Sequence, residues 1–192
     1  MRLSRSIAAA LILAATPLSS AIAADYEVDG SHTSVLFKTN HGGIAPFWGR
    51  FNKVGGTFTF DPAAPANAKL SVEIDANSIF TAEKKRDDHL KSPDFFNTKQ
   101  FPTITLKSKS VKAGTKPNTY SVNADITVRG VTKAITLELT KTGEAKFPDG
   151  SEHIGFETSF VLNRLDFGVA YAPEGLGKDV TIIVAIEGIK KG

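Results

Sequence analysis

The sequence predicts an all-β fold, an antiparallel up-and-down barrel of about eight strands with one or two short helices. From Tyr26 onward, apolar and polar residues alternate with a period of two, which is typical of strands that bury one face. Turn-forming residues separate these segments, for example at 61–62 and 148–150. Because closing a sheet removes its exposed edges, a barrel is favoured over a sandwich for so apolar a sheet.

Eight segments carry the alternation, and the last of them is apolar on both faces. The predicted strands contain residues 35–37, 58–60, 70–74, 104–106, 120–128, 135–139, 154–160 and 180–189. Residues 81–90 are charged and rich in helix formers, so they predict one short exposed helix. Ser92, Pro93 and Asp94 have the order of a helix start and predict a second one.

Residues 1–23 have the composition of a cleavable signal peptide. Arg2 and Arg5 precede an apolar run over 7–15, and small residues at alternate positions, Ala21 and Ala23, suit a cleavage site after Ala23. The run is well below the ~20 residues that span a bilayer, so no membrane span is expected. We therefore predict two parts, a signal peptide over 1–23 and a barrel domain over 24–192, with export to the periplasm.

Charge and cysteine content exclude several classes of function. The chain has 23 Lys+Arg and 20 Asp+Glu, a net charge of +3, and loss of Arg2 and Arg5 with the signal peptide leaves +1. So small a positive charge provides little electrostatic attraction for nucleic acid. There is no cysteine, which excludes disulfides, thiolate-held metals, thiol nucleophiles and a lipid anchor on cysteine.

Catalytic motifs are absent from the sequence. It contains no Gly-x-Ser-x-Gly, His-Glu-x-x-His or phosphate-loop pattern, so we predict a protein that is not an enzyme and carries no cofactor. The four histidines are His32, His41, His89 and His153. Their spacing favours hydrogen-bonded structural roles over a metal or haem site, and we predict no metal.

Alternation leaves open whether the barrel interior is filled or hollow. The inward face of the predicted strands consists of Val, Ile, Leu and Phe, and on this pattern alone a packed core is favoured over a cavity. Six phenylalanines lie outside the alternation, and aromatic clusters at loops could either plug one barrel end or line its mouth. They are Phe47, Phe51, Phe95, Phe96, Phe101 and Phe167.

The order of short motifs resembles the YceI-like family of bacterial proteins. The resemblance begins at 26–37 (YEVDGSHTSVLF) and continues through 86–97 (RDDHLKSPDFFN) and 125–132 (DITVRGVT). It ends with 163–168 (NRLDFG) and so covers essentially all of the chain after residue 25. Each motif is weak alone, but their order and spacing together are specific.

The resemblance implies a lipocalin-like barrel that binds a polyisoprenoid or related lipid, and it favours a hollow interior. The implied ligand is a long-chain isoprenoid, a quinone-like molecule or a fatty chain, held by a periplasmic binding or carrier protein. Alternatives are an enzyme acting on such a substrate and a stress or adaptor protein with a packed barrel. A homodimer is a further expectation to be tested.

Alternation supplies the candidate ligand-binding side chains other than Phe95 and Phe96. These two lie in the segment 81–97, which the family's inter-strand helix implies as a cover for the cavity. The candidates are Val35, Phe37, Phe58, Phe60, Leu70, Val72, Ile74, Phe95, Phe96, Ile104, Leu106, Val122, Ile126, Leu137, Phe156 and Phe160. The candidates for contact with a lipid head group are His32, His41, Arg86 and His89.

Overall fold

A computed structural model describes residues 23–192, and within them the chain forms eleven strands and one α-helix. The helix, α1, spans Lys84–Lys91, and short 3-10 turns occupy Pro65–Asn67, Ala76–Ser78 and Arg164–Phe167. The strands are β1 (Ala24–Val28), β2 (Ser34–His41), β3 (Ala45–Phe51), β4 (Val54–Phe60), β5 (Lys69–Asp75), β6 (Ile79–Phe80), β7 (Thr103–Ala113), β8 (Thr119–Val128), β9 (Val131–Lys146), β10 (Glu152–Asn163) and β11 (Asp179–Lys190). Residues 1–22 of the predicted signal peptide lie outside the described residues.

Eight of the strands form a closed antiparallel barrel in the order β1-β4-β5-β7-β8-β9-β10-β11. Pairing of Tyr26 with Lys190 and of Val28 with Gly188 joins β1 to β11 and completes the circle. Closure pairs the strand edges that an open sheet would expose. The all-β barrel of about eight strands that alternation predicts, and the lipocalin-like barrel that the resemblance implies, are therefore confirmed.

The remaining three strands make a side ribbon, which we define as β2, β3 and β6. Strand β2 pairs with the part of β11 that β1 does not reach: Ser34 lies opposite Ala185, and Lys38 lies opposite Thr181. Strand β3 pairs with β2, and β6 adds only Ile79 and Phe80 to its outer edge. The ribbon thus extends one end of the barrel, which we call the mouth end.

The opposite end of the barrel is solidly packed with aromatic rings. Tyr26 stacks on Phe58 at 5.0 Å, and Phe60 meets both Tyr120 and Phe156 edge-on at 5.0 Å. Gly188 permits this packing, because a Cβ there would overlap the Phe58 ring. This packed end closes the barrel with side chains.

The segment after β6 covers the mouth end. Buried Asp87 of α1 accepts hydrogen bonds from the backbone N–H (2.8 Å) and hydroxyl of Thr81, which ties the helix to the end of β6. The helix predicted over 81–90 is confirmed with slightly later bounds. No described residue belongs to a helix long and apolar enough to cross a membrane.

The second predicted helix start at Ser92 is wrong. Residues 92–97 form a tight turn instead, in which the N–H groups of Phe95 and Asn97 both donate to the Ser92 carbonyl. Asn97 has a left-handed φ of 47°, which a helix does not permit. The same residues that cap a new helix also cap the end of an existing one, and here Ser92 ends α1.

Candidate ligand-binding cavity

The mouth half of the barrel encloses a cavity of about 550 Å³, within the range of known small-ligand sites. Its wall comes from β2, β3, β5, β7, β8, β9, β10 and β11, with α1 and the loop after β10 on top. Most lining side chains are apolar, and no Asp or Glu is among them. The polar lining residues are Thr39, His41, Arg86, His89, Thr158, Arg164 and Tyr171, together with Thr105, which pairs with the outward-facing Thr127.

Twelve of the sixteen apolar side chains singled out from the sequence lie on this wall. They are Val35, Phe37, Leu70, Val72, Ile74, Phe95, Phe96, Ile104, Leu106, Ile126, Leu137 and Phe160. The other four belong to the packed end, where they touch one another and not the cavity: Phe58, Phe60, Val122 and Phe156. Period-two alternation separates inside from outside but carries no information on height along the barrel axis.

Strand β11 contributes a large part of the wall that alternation did not single out. Val180, Ile182, Val184 and Ile186 all line the cavity. Because β11 is apolar on both faces, its inward side was not readable from its own sequence. Its pairing with β10 shows which face points inward, because Ile182 lies directly opposite the inward-facing Phe160 and directly paired residues share a face.

Phenylalanines outside the alternation line the mouth half. Phe47 and Phe51 come from the ribbon, Phe96 from the turn after α1, and Phe167 from the 3-10 turn after β10. Phe51 meets Phe37 at 5.8 Å and Phe96 edge-on at 5.8 Å. These rings surround the cavity, while the plug at the other end uses other aromatic residues.

Arg86 links the helix to the ribbon at the mouth. Its Nε and Nη2 groups donate to the hydroxyl and carbonyl of Thr81 at 2.8 Å, and its guanidinium lies 4.5 Å from the centre of the Phe47 ring. Nη1 makes no hydrogen bond to protein within residues 23–192. Arg86 is therefore held in place with donors available at the cavity rim.

His89 belongs to an aromatic cluster at the same rim. Its Nε2 is 2.9 Å from an Oδ2 atom of Asp94, and its ring packs edge-on against Phe95 at 5.0 Å and Tyr171 at 4.8 Å. His41 also lines the rim, at the end of β2, where it pairs with Leu176. Three of the four head-group candidates thus meet at the mouth.

Arg164 organises the loop over residues 169–177 that forms the rest of the rim. Its guanidinium donates to five backbone carbonyls of that loop, at distances from 2.7 to 3.4 Å, and so uses all five N–H groups. Burial lowers the pKa of Arg164, yet arginine remains charged in proteins. The sequence did not predict this role, because the hydrogen-bond partners of Arg164 are backbone carbonyls, which every residue has whatever its side chain.

His32, the fourth head-group candidate, lies outside the cavity with Asp29 and Glu187. Hydrogen bonds from Ser31 and His32 lower the pKa of Asp29, and the hydrogen bond to Asp29 (2.7 Å) raises the pKa of His32. Ligand atoms of the three residues lie within 4.8 Å of one another. Protein groups already bind them, since Ser31 donates to Asp29 and His153 contacts Glu187 at 2.6 Å.

The arrangement has the chemistry of a site for an amphiphile. An apolar interior buries a hydrocarbon chain at ~0.8 kcal/mol per methylene. The rim supplies the guanidinium of Arg86 and the imidazoles of His41 and His89, without a lining carboxylate. A molecule with an apolar tail and a polar or anionic head would match both regions.

Comparison with known proteins finds relatives of this chain by sequence and neighbours of its fold by structure. The chain is 37% identical over 174 residues to Protein YceI of Escherichia coli O157:H7, with 90% of each chain covered. BcnA of Burkholderia cenocepacia has a similar structure, with a TM-score of 0.76, 22% identity and coverage of 83% of this chain and 98% of its own.

A second solved structure shares the fold at lower identity. It is from Saccharophagus degradans and is described as a polyisoprenoid-binding domain implicated in plant cell wall breakdown. The TM-score is 0.68 at 14% identity, over 86% of this chain and 98% of that one. The model of the YceI-like domain matches residues 26–188. The chain belongs to the YceI-like family.

Proposed function

We propose that this protein binds one long-chain lipid, an isoprenoid or a molecule with a similar apolar tail, inside its barrel. The tail lies in the cavity of the mouth half and the head group lies at the rim. The protein acts as a binding or carrier protein in the periplasm and performs no chemical step on the ligand.

The observation that carries the proposal is the contrast between the two ends of the barrel. At the packed end Val122 is fully buried among aromatic and aliphatic neighbours, as is normal for protein interiors, which leave few voids larger than a water molecule. The mouth half leaves about 550 Å³ free with an apolar lining. A cavity restricted to one half of an otherwise close-packed barrel indicates a binding site.

Energetics favour a long tail as the ligand. A chain that buries about ten methylenes gains ~8 kcal/mol, which corresponds to roughly micromolar binding before ordering costs are subtracted. The structural neighbour described as polyisoprenoid-binding supports an isoprenoid as the class of tail. Arg86, a cation at the rim whose Nη1 makes no hydrogen bond within the described residues, supports a head group that is anionic or rich in hydrogen-bond acceptors.

The proposed carrier role rests on two further observations. The pattern of residues 1–23 supports export, and a free lipid tail is poorly soluble in an aqueous compartment. An enzyme would need polar groups that converge on one reacting atom. The polar lining side chains are instead spread between the rim and scattered threonines, which supports binding without catalysis.

Organic extraction of the purified protein, followed by mass spectrometry of the extract, tests the proposal. We expect one lipid with a long apolar chain per protein. Val72→Glu and Ile126→Glu place a carboxylate in the wall and should remove that lipid, because an isolated buried charge is strongly unfavourable. Thr127→Glu, on the outward face beside Ile126, is the matched control and should retain it. Absence of lipid from the native protein and from protein incubated with membrane extracts would refute the proposal.

A further inference from the structure

Exposed apolar side chains are concentrated on the ribbon beside the cavity mouth. Ile44, at the tip between β2 and β3, is 86% exposed, and Trp48 and Phe80 are 48% and 43% exposed. Single exposed hydrophobic residues are common on soluble proteins. Three of them on one short ribbon, however, concentrate exposed apolar surface beside the cavity mouth, and such a concentration points to an interaction surface.

The pairing of the ribbon strands places a cation over each aromatic ring. Lys38 lies directly opposite Trp48 with its Nζ 5.5 Å from the ring centre, and Arg50 lies directly opposite Phe80 with its Cζ at 5.6 Å. Trp48 and Arg50 are two residues apart and so share one face of β3. We call the set of Lys38, Ile44, Trp48, Arg50 and Phe80 the docking face.

The docking face is positively charged. Residues 34–51 include Lys38 and Arg50 and no Asp or Glu, and neither cation forms an ion pair within the described part of the chain. Three carboxylates lie beside Phe80, and each already has a protein partner: Asp88 binds Lys84 at 2.6 Å, Asp87 is buried, and Glu83 caps α1 by accepting a hydrogen bond from the backbone N–H of Lys85. An anionic partner therefore meets two unpaired cations.

This combination matches the surface of an anionic bilayer. Tryptophan and lysine side chains bury their apolar parts and keep a polar end in water, and aromatic residues are enriched at membrane interfaces. Basic residues near an anionic leaflet each contribute ~1 kcal/mol of attraction. Ile44, which directly follows Gly42 and Gly43 in the turn between β2 and β3, is the side chain best placed to enter the acyl region.

We propose that the docking face binds a bilayer of anionic phospholipid. Ile44 enters the acyl region, Trp48 and Phe80 lie at head-group depth, and Lys38 and Arg50 contact phosphates. Because Ala45 and Pro46, next to Ile44, line the cavity, docking brings the mouth against the membrane, where a lipid can pass without crossing water.

Trp48 is the sole tryptophan of the chain and reports docking directly. The purified protein is titrated with vesicles of phosphatidylcholine, with or without phosphatidylglycerol. We expect a blue shift of tryptophan emission on the anionic vesicles, quenching by lipids brominated on their acyl chains, and loss of binding at high salt. Trp48 does not line the cavity, so this signal is independent of lipid loading and of the proposed binding function.

Variants separate docking from general surface hydrophobicity. Ile44→Asp should weaken partitioning at least tenfold, because it removes a buried aliphatic side chain, and Lys38→Ala should weaken it about fivefold. Phe147→Asp removes an exposed aromatic residue (47%, against 48% for Trp48) on the turn at the packed end of the barrel, away from the docking face. It is the matched control and should partition as the native protein does.

Three outcomes would overturn the proposal. One is the absence of an emission shift with any vesicle, and another is an equal loss of binding for Ile44→Asp and Phe147→Asp. The third is a blue shift that grows with protein concentration in the absence of vesicles, together with a dimeric mass, since this would show that a second copy of the chain covers the docking face.

Discussion

Filling the cavity from β11 should weaken lipid binding without destabilising the fold. Val184 lines the cavity between its neighbours Val35 and Thr158, and it is only partly buried because it faces open space. In Val184→Phe the added ring occupies space that two or three ligand methylenes would fill. At ~0.8 kcal/mol per methylene the loss is ~2 kcal/mol, or roughly thirtyfold in affinity.

A variant at the packed end should lower stability and leave lipid affinity unchanged. Val122 has no exposed surface, and Val122→Phe forces a ring into a filled region, at a cost of roughly 1–3 kcal/mol in stability. It leaves the cavity wall intact. We therefore expect lower stability with native lipid binding for Val122→Phe, and native stability with weak binding for Val184→Phe.

Two measurements separate these outcomes. Urea denaturation gives the free energy of unfolding of the delipidated proteins, and displacement of a fluorescent fatty-acid probe gives affinity. Stability and affinity that fall together in both variants would show that the interior is one continuous packed core. Native affinity in Val184→Phe would show that the ligand lies elsewhere.

Three further predictions follow from the wall, the rim loop and the outer surface. Ile126→Glu should lower both lipid retention and melting temperature while Thr127→Glu changes neither, and equal behaviour of the two would mean that the faces of β8 are reversed. Arg164→Met should lower the free energy of unfolding by roughly 3 kcal/mol, because five carbonyls lose a charged donor. It should also speed amide hydrogen exchange in the loop over 169–177. Unchanged exchange in that loop would contradict the role of Arg164. Because the pKa of Asp29 is lowered, its contribution to folding stability is complete above the ordinary pKa of 3.8 and is lost as the pH falls through the lower pKa of the folded state. Because the pKa of His32 is raised, its contribution to folding stability is complete below the ordinary pKa of 6.5 and is lost as the pH rises through the higher pKa of the folded state. Asp29→Asn should thus lower the melting temperature most between these two pH values, and a difference that does not vary with pH would refute the ion pair.

Much of the barrel was predictable because strand burial follows a local pattern. Alternation in a segment such as 120–128 needs only neighbouring residues, and the structure shows the same inward residues in β8, with Val122, Ala124 and Ile126 buried. The helix also followed from local composition. The turn at Ser92 did not, since one sequence of capping residues serves both to begin a helix and to end one.

The cavity could be predicted only in part, since its limits depend on contacts distant in sequence. Phe58 and Phe37 have the same inward pattern and both meet other aromatic rings, yet Phe58 lies wholly within the packed end while Phe37 also lines the cavity. Which inward residues meet a partner depends on strand register and tilt. The rim depends on the backbone carbonyls around Arg164, which no pattern of side chains records.

The central claim is that a lipid tail lies in the mouth half of the barrel and not in the packed end. Nuclear Overhauser contacts between an unlabelled bound lipid and isotope-labelled methyl groups of the protein test it most directly. The account predicts contacts from the tail to Ile104, Ile126 and Val184, and none to Val111 or Val122. Contacts to Val122, or contacts restricted to methyl groups on the outer surface, would contradict it.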